Sequence, residues 1–108
     1  MNELQLIEQF AKHMRMQYDV QHISVYKNQD KLYGDTLDCV AMEQYLSLTC
    51  TTIYKESSSC SLVSHINIGH NLYIIALRTD KNNTYGSIDV QYMINEIKEL
   101  RRKIGEAD

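Results

Sequence analysis

A chain of 108 residues can build one domain around a small core, and pairing with a second copy or a partner would add to its modest stability. Apolar residues make up 44% and charged residues 23%, the ordinary globular range, which sets aside a disordered or fibrous chain. The net charge of −3 removes the electrostatic case for nucleic acid, and eight tyrosines against one phenylalanine favour half-buried surfaces, where a ring packs and its hydroxyl stays wet.

From Glu3 to Met16, Leu4, Ile7, Phe10, Ala11 and Met14 recur at helical spacing, with Lys12 and Arg15 outside the stripe, which predicts a first helix. Val20 to Lys27 carries Ile23 and Val25 at period two and predicts a strand. Asn28-Gln29-Asp30 reads as a turn into a short paired strand over Lys31–Gly34. Asp35 or Thr36 can then cap a second helix. On it Leu37, Val40, Ala41 and Leu48 form one apolar stripe, and Met42, Tyr45, Leu46 and Thr49 a second, displaced around the axis. A helix apolar on two sides needs two surfaces to pack on, its own sheet and a partner subunit.

Thr49 to Tyr54 is rich in β-branched residues, so Cys50–Lys55 is either the end of the second helix or a strand. Ser57-Ser58-Ser59 turns the chain, Leu62–Ile68 is a strand, and Gly69-His70-Asn71 turns it again. Leu72–Thr79 is apolar on both faces, with Leu72, Ile74 and Ala76 on one and Tyr73, Ile75 and Leu77 on the other, the pattern of a central strand covered on both sides. After a polar corner at Asp80–Asn83, helical periodicity from about Thr84 puts Val90, Met93, Ile94, Ile97, Leu100 and Ile104 on an inner face, with Gly105 as the stop. Glu96 is placed to meet Arg101 or Lys103 near the outer face. The expected fold is one α+β domain over 1–108. It has a single antiparallel sheet of four to five strands, with the central helix on one face and the terminal helices packed on the sheet.

Motifs of chemistry are sparse. Cys60, His65 and His70 offer metal-binding atoms, but their spacing crosses a strand and a turn with no paired-ligand pattern. Cys39, Cys50 or Cys60 with any histidine is a formal nucleophile pair, yet cysteines in apolar contexts are usually small buried residues. Gly34, Gly69, Gly86 and Gly105 make no phosphate-cradling loop. The basic run Lys98–Lys103, interleaved with Glu99, reads as a solvated helix face. Asn82-Asn83-Thr84 matches a glycosylation sequon, which carries meaning only after secretion. The N-terminus has no signal-peptide pattern, and the longest apolar run, Leu72–Leu77, is too short to cross a bilayer. Three widely spaced cysteines imply no disulfide framework. The expectation is a cytoplasmic protein with no enzymatic activity and no cofactor.

The segment YIIALRTDKNNTYGSIDV (Tyr73–Val90) joins an apolar strand, an Asp-polar corner and a helix start holding Gly86. With the Val20–Gly34 hairpin and the Asp35-Thr36 helix start, it resembles the Roadblock/LC7 family, and the end of its bacterial MglB-like members in particular. Asn28-Gln29-Asp30 stands where that hairpin turn usually holds glycine. The family has three strands between its second and third helices, which this chain matches only if helix two is short and Cys50–Lys55 is a strand. The resemblance implies a non-catalytic dimer, homotypic or with a paralogue, joined through helix two and the adjoining strand. It further implies a scaffold or regulator of Ras-like small GTPases or an adaptor in a multiprotein complex. Leu37, Val40, Ala41, Tyr45, Leu48 and Ile53 are the expected interface residues. A small-molecule sensory domain of PAS or profilin-like type, or a secretion chaperone, are the alternatives with a similar layout.

Overall fold

The computed structural model describes residues 2–48, 50–55, 59–80 and 85–107. Their elements run α1 (Glu3–Tyr18), β1 (His22–Lys27), β2 (Asp30–Gly34), α2 (Cys39–Leu46), β3 (Thr52–Lys55), β4 (Ser59–Ile68), β5 (Asn71–Asp80) and α3 (Ser87–Ala107). The strands form one sheet in the order β2-β1-β5-β4-β3, with every neighbouring pair antiparallel. This is the expected α+β fold with five strands, so Cys50–Lys55 resolves into a strand at Thr52.

β5 is the middle strand, and its double-sided apolar pattern is used on both faces. Tyr73, Ile75 and Leu77 join Ile23, Val25, Leu62 and Ile66 beneath α1 and α3, whose Ile7, Phe10, Met14, Met93, Ile97, Leu100 and Ile104 close that core. Ile74 and Ala76 face the other way with Tyr26 and Val63, under α2. α1 and α3 therefore share one face, and α2 alone covers the other. Burying one such aliphatic side chain is worth about 1.5–3 kcal/mol. The layer under α1 and α3, with sixteen buried residues against four under α2, dominates stability.

Caps and latches fix the helix positions. Asn2 and Gln5 make a reciprocal capping box at the start of α1. Glu3 accepts from the Tyr73 hydroxyl at 2.5 Å and from Lys27 Nζ at 3.0 Å, tying that helix start to β5 and β1. The Tyr85 hydroxyl donates to the Leu77 carbonyl at 3.0 Å just before α3, and burial pushes that hydroxyl above its ordinary pKa. Glu96 pairs with His13 across the two helices rather than with Arg101 or Lys103, and Arg102 takes Glu99 and Glu106 instead.

Four boundaries differ from the sequence expectation. α2 is capped by Asp38, whose carboxylate accepts from the Ala41 N–H at 2.7 Å, and not by Asp35 or Thr36. Asp35 is taken by His22, and the Leu37 N–H by the Tyr26 hydroxyl, so the chain stays non-helical until Asp38. α2 ends at Leu46, where the Ser47 hydroxyl bonds back to the Gln44 carbonyl at 2.7 Å. α3 begins at Ser87 and runs through Gly105 to Ala107, because Gly105 keeps helical geometry beside Ile68 and never takes the left-handed conformation of a stop. The expected second-stripe residue Thr49, the Ser57-Ser58 turn and the Lys81–Thr84 corner with its sequon lie outside the described residues.

The β1–β2 loop is only Asn28 and Gln29, at φ 51° and 72°. Positive φ at both positions is the type I′ pattern that favours Asn-Gly. Asn28 suits its place and also binds Asn71 and the Leu72 N–H, but Gln29 has a Cβ where the backbone wants none. Gln29→Gly is expected to raise stability by about 1 kcal/mol, seen as a midpoint roughly 4–8 °C higher in thermal unfolding. Gly34 is the opposite case: at φ 86° an added Cβ would sit 1.9 Å from the Ile23 carbonyl oxygen. Gly34→Ala should cost more than about 2 kcal/mol in the same experiment.

Candidate interaction surface

α2 rests on its sheet face without burying a single residue. Met42, Tyr45 and Leu46, at i, i+3 and i+4, face the sheet, and Leu37 before the helix and Leu48 after it pack against the same cluster. The side chains reach the sheet but none is sealed by it. Two polar latches do the rest. The Leu37 N–H donates to the Tyr26 hydroxyl at 2.8 Å. His65 Nε2 bonds the Tyr45 carbonyl, and since a carbonyl only accepts, the proton of that ring lies on Nε2. His65 thus caps the open C-terminal end of α2 from β4.

β3 lies beside α2. The Tyr45 and Tyr54 rings stand 5.6 Å apart, joining helix and edge strand in one continuous surface. Ile53 points the other way, into the core beneath α1 and α3. Each side of this edge strand therefore carries one large apolar residue, Tyr54 beside Thr52 and Ile53 beside Lys55, and on its outer side β3 has no paired strand among the described residues.

The two edges of the sheet are treated differently. Between Val25 and Tyr26 the β1–β2 register slips, so Leu32 bulges out of β2, which also exposes Asp30 and Lys31 along its length. Bulges and charges blunt an edge against a further strand. β3 pairs with β4 in unbroken register and carries one charge, Lys55, at its end.

The six expected interface residues divide accordingly. Leu37, Tyr45 and Leu48 lie together on the α2 side, half-buried against the sheet. Ala41 is half-buried within α2, and Val40 points outward with 65% of its surface exposed. Ile53 does not join them, because period two places it on the opposite face, and Tyr54 occupies its expected place. The two-stripe reading of α2 is corrected as well. Leu37 and Leu48 fall outside an eight-residue helix, so only Val40 remains as an outward apolar residue. Tyr26 and His65, the two latches, were not among the expected interface residues, and His65 entered only as a possible metal-binding side chain. Only the pairing of β1 and β4 about β5 brings them under α2.

The candidate chemistry does not assemble. Cys39 and Cys50 are exposed and Cys60 is buried. No group of three or more metal-binding side chains converges among the described residues. No described helix is long and apolar enough to cross a membrane. Compared with family models, curated proteins and solved structures, the chain matches none.

The latches predict a local effect. Tyr26→Phe and His65→Leu should each cost about 1 kcal/mol. Amide exchange should quicken across residues 38–48 while α1 and α3 keep their protection. Uniform loss of protection in all three helices would contradict a latch role.

Proposed function

We propose that the chain is a non-catalytic interaction scaffold that pairs with a second copy of itself through α2 and the edge of β3. The observation that carries this reading is the contrast between the two sheet edges. β2 is bulged and charged, while β3 is regular, carries one large apolar residue on each face and is flanked by a helix that buries none of its own residues. Adding a second β3 antiparallel to the first would satisfy the outer backbone groups and extend the sheet across two subunits, and symmetric pairing of one patch with itself closes the assembly as a dimer. The three strands between α2 and α3 are the number the Roadblock resemblance requires, and that resemblance supplies the partner class: a Ras-like small GTPase or a multiprotein complex engaged by the paired sheet. A paralogue in place of the second copy would use the same edge.

Light scattering tests the pairing. The wild-type chain is expected at twice its 12.6 kDa monomer mass. Val40→Glu alters an outward residue that supports no core, so it should leave the fold intact and weaken pairing by at least tenfold, about 1.4 kcal/mol. Ile88→Glu, equally exposed but on α3, should leave the dimer unchanged. A wild-type mass of 12.6 kDa at every concentration would overturn the proposal.

A further inference from the structure

The cover that α2 gives the sheet is uneven, and the register shows why. One cross-strand row under α2 is Tyr26, Ile74 and His65, large side chains that fill the layer. The next is Ser24, Ala76 and Val63, and the one beyond it is His22, Arg78 and Ser61. Small and polar residues therefore floor one end of the face. Above them, between the sheet and the Leu37–Tyr45 side of α2, lies a hollow of about 360 Å³.

Its polar groups are placed for a ligand. Ser24 and Ser61 retain only 4% and 7% of their surface, and both line the hollow. Arg78 stands between His22 and Ser61 in the row. Its Nε meets Asp80 at 3.2 Å, which orients the guanidinium in the lining of the hollow. His22 is already spent: it bridges Asp35 and Asp80 at 2.8 Å through opposite ring nitrogens, so the two carboxylates cannot converge on a metal ion.

The geometry points to a binding site for a small monocarboxylate with a short apolar tail, its carboxylate on Arg78 with Ser24 and Ser61, its tail against Leu37, Tyr45 and Ala76. A planar guanidinium fork matches a carboxylate in two parallel hydrogen bonds, and the two serine hydroxyls lining the hollow can add donors. The carboxylates of Asp35 and Asp80 nearby disfavour a dianion, so a carboxylate is preferred over phosphate. The hollow sits at the small end of ligand sites, so few atoms are held and affinity should be millimolar. This site does not depend on pairing, since it lies between α2 and its own sheet.

The experiment is a titration of the ¹⁵N-labelled chain with sodium butyrate, followed by amide chemical shifts at constant ionic strength. Saturable shifts are expected at residues 22–24, 61 and 76–78, with binding at least tenfold weaker in Arg78→Gln and a few-fold weaker in Ser61→Ala. The spectrum of each variant reports its own fold. If Arg78→Gln disturbs it, Ser61→Ala, which only removes a hydroxyl, carries the comparison. Sodium phosphate is titrated in parallel. Tighter binding of phosphate would overturn the carboxylate assignment. Linear, unsaturated shifts, or an equal response in the variants, would overturn the site.

Discussion

Everything in this fold hangs on β5, a strand apolar on both faces that must be covered twice. One face receives α1 and α3, long helices with continuous apolar stripes, and the core there is sealed. The other receives only eight residues of helix, which cannot seal the same area. The asymmetry has two consequences. α2 buries Tyr26, Val63, Ile74 and Ala76 but none of its own residues, and space remains between helix and sheet at one end. The proposed pairing edge and the proposed ligand hollow are two outcomes of that one shortfall in cover.

Polar contacts hold the short helix where packing does not suffice. The Tyr26 hydroxyl receives the Leu37 N–H at the entry to α2, and His65 takes the carbonyl of Tyr45 near its exit. Each is worth only about 1 kcal/mol net, far less than a sealed apolar layer. α2 is therefore the element most open to displacement or to stabilisation by a partner. The His22 bridge to Asp35 and Asp80 holds the chain segment ahead of α2 in the same way. Half-exposed polar contacts of this kind contribute little stability individually, and their effect is to set direction.

Much of this was legible in the sequence, and the limits have physical reasons. The apolar spacing of α1 and α3 and the double-sided pattern of Leu72–Thr79 showed two helices and a central strand, since these are long periodic signals. The second helix was not bounded correctly. Asp35, Thr36 and Asp38 are all competent caps, and the choice among them is made by His22 and Tyr26, which lie on another strand. The face of Ile53 was not legible while Cys50–Lys55 stood open between helix and strand, because the two assign it opposite neighbours; the strand turns it toward the core under α1 and α3. Gly105 looked like a stop because glycine often is one, yet here it remains within a helix packed near Ile68. The hollow could not have been read at all. Ser24, Ser61 and Arg78 are scattered through the chain and meet only through the register of β1, β5 and β4.

The most direct test of the central claim is amide hydrogen exchange along β3 at two protein concentrations. If β3 pairs with its copy, the outward-facing amides of Thr52–Lys55 gain protection as concentration rises, while the bulged β2 edge stays unchanged. Exchange on β3 that is rapid and independent of concentration would mean that this edge stays open in solution, and the account of α2 and β3 as a pairing surface would be contradicted.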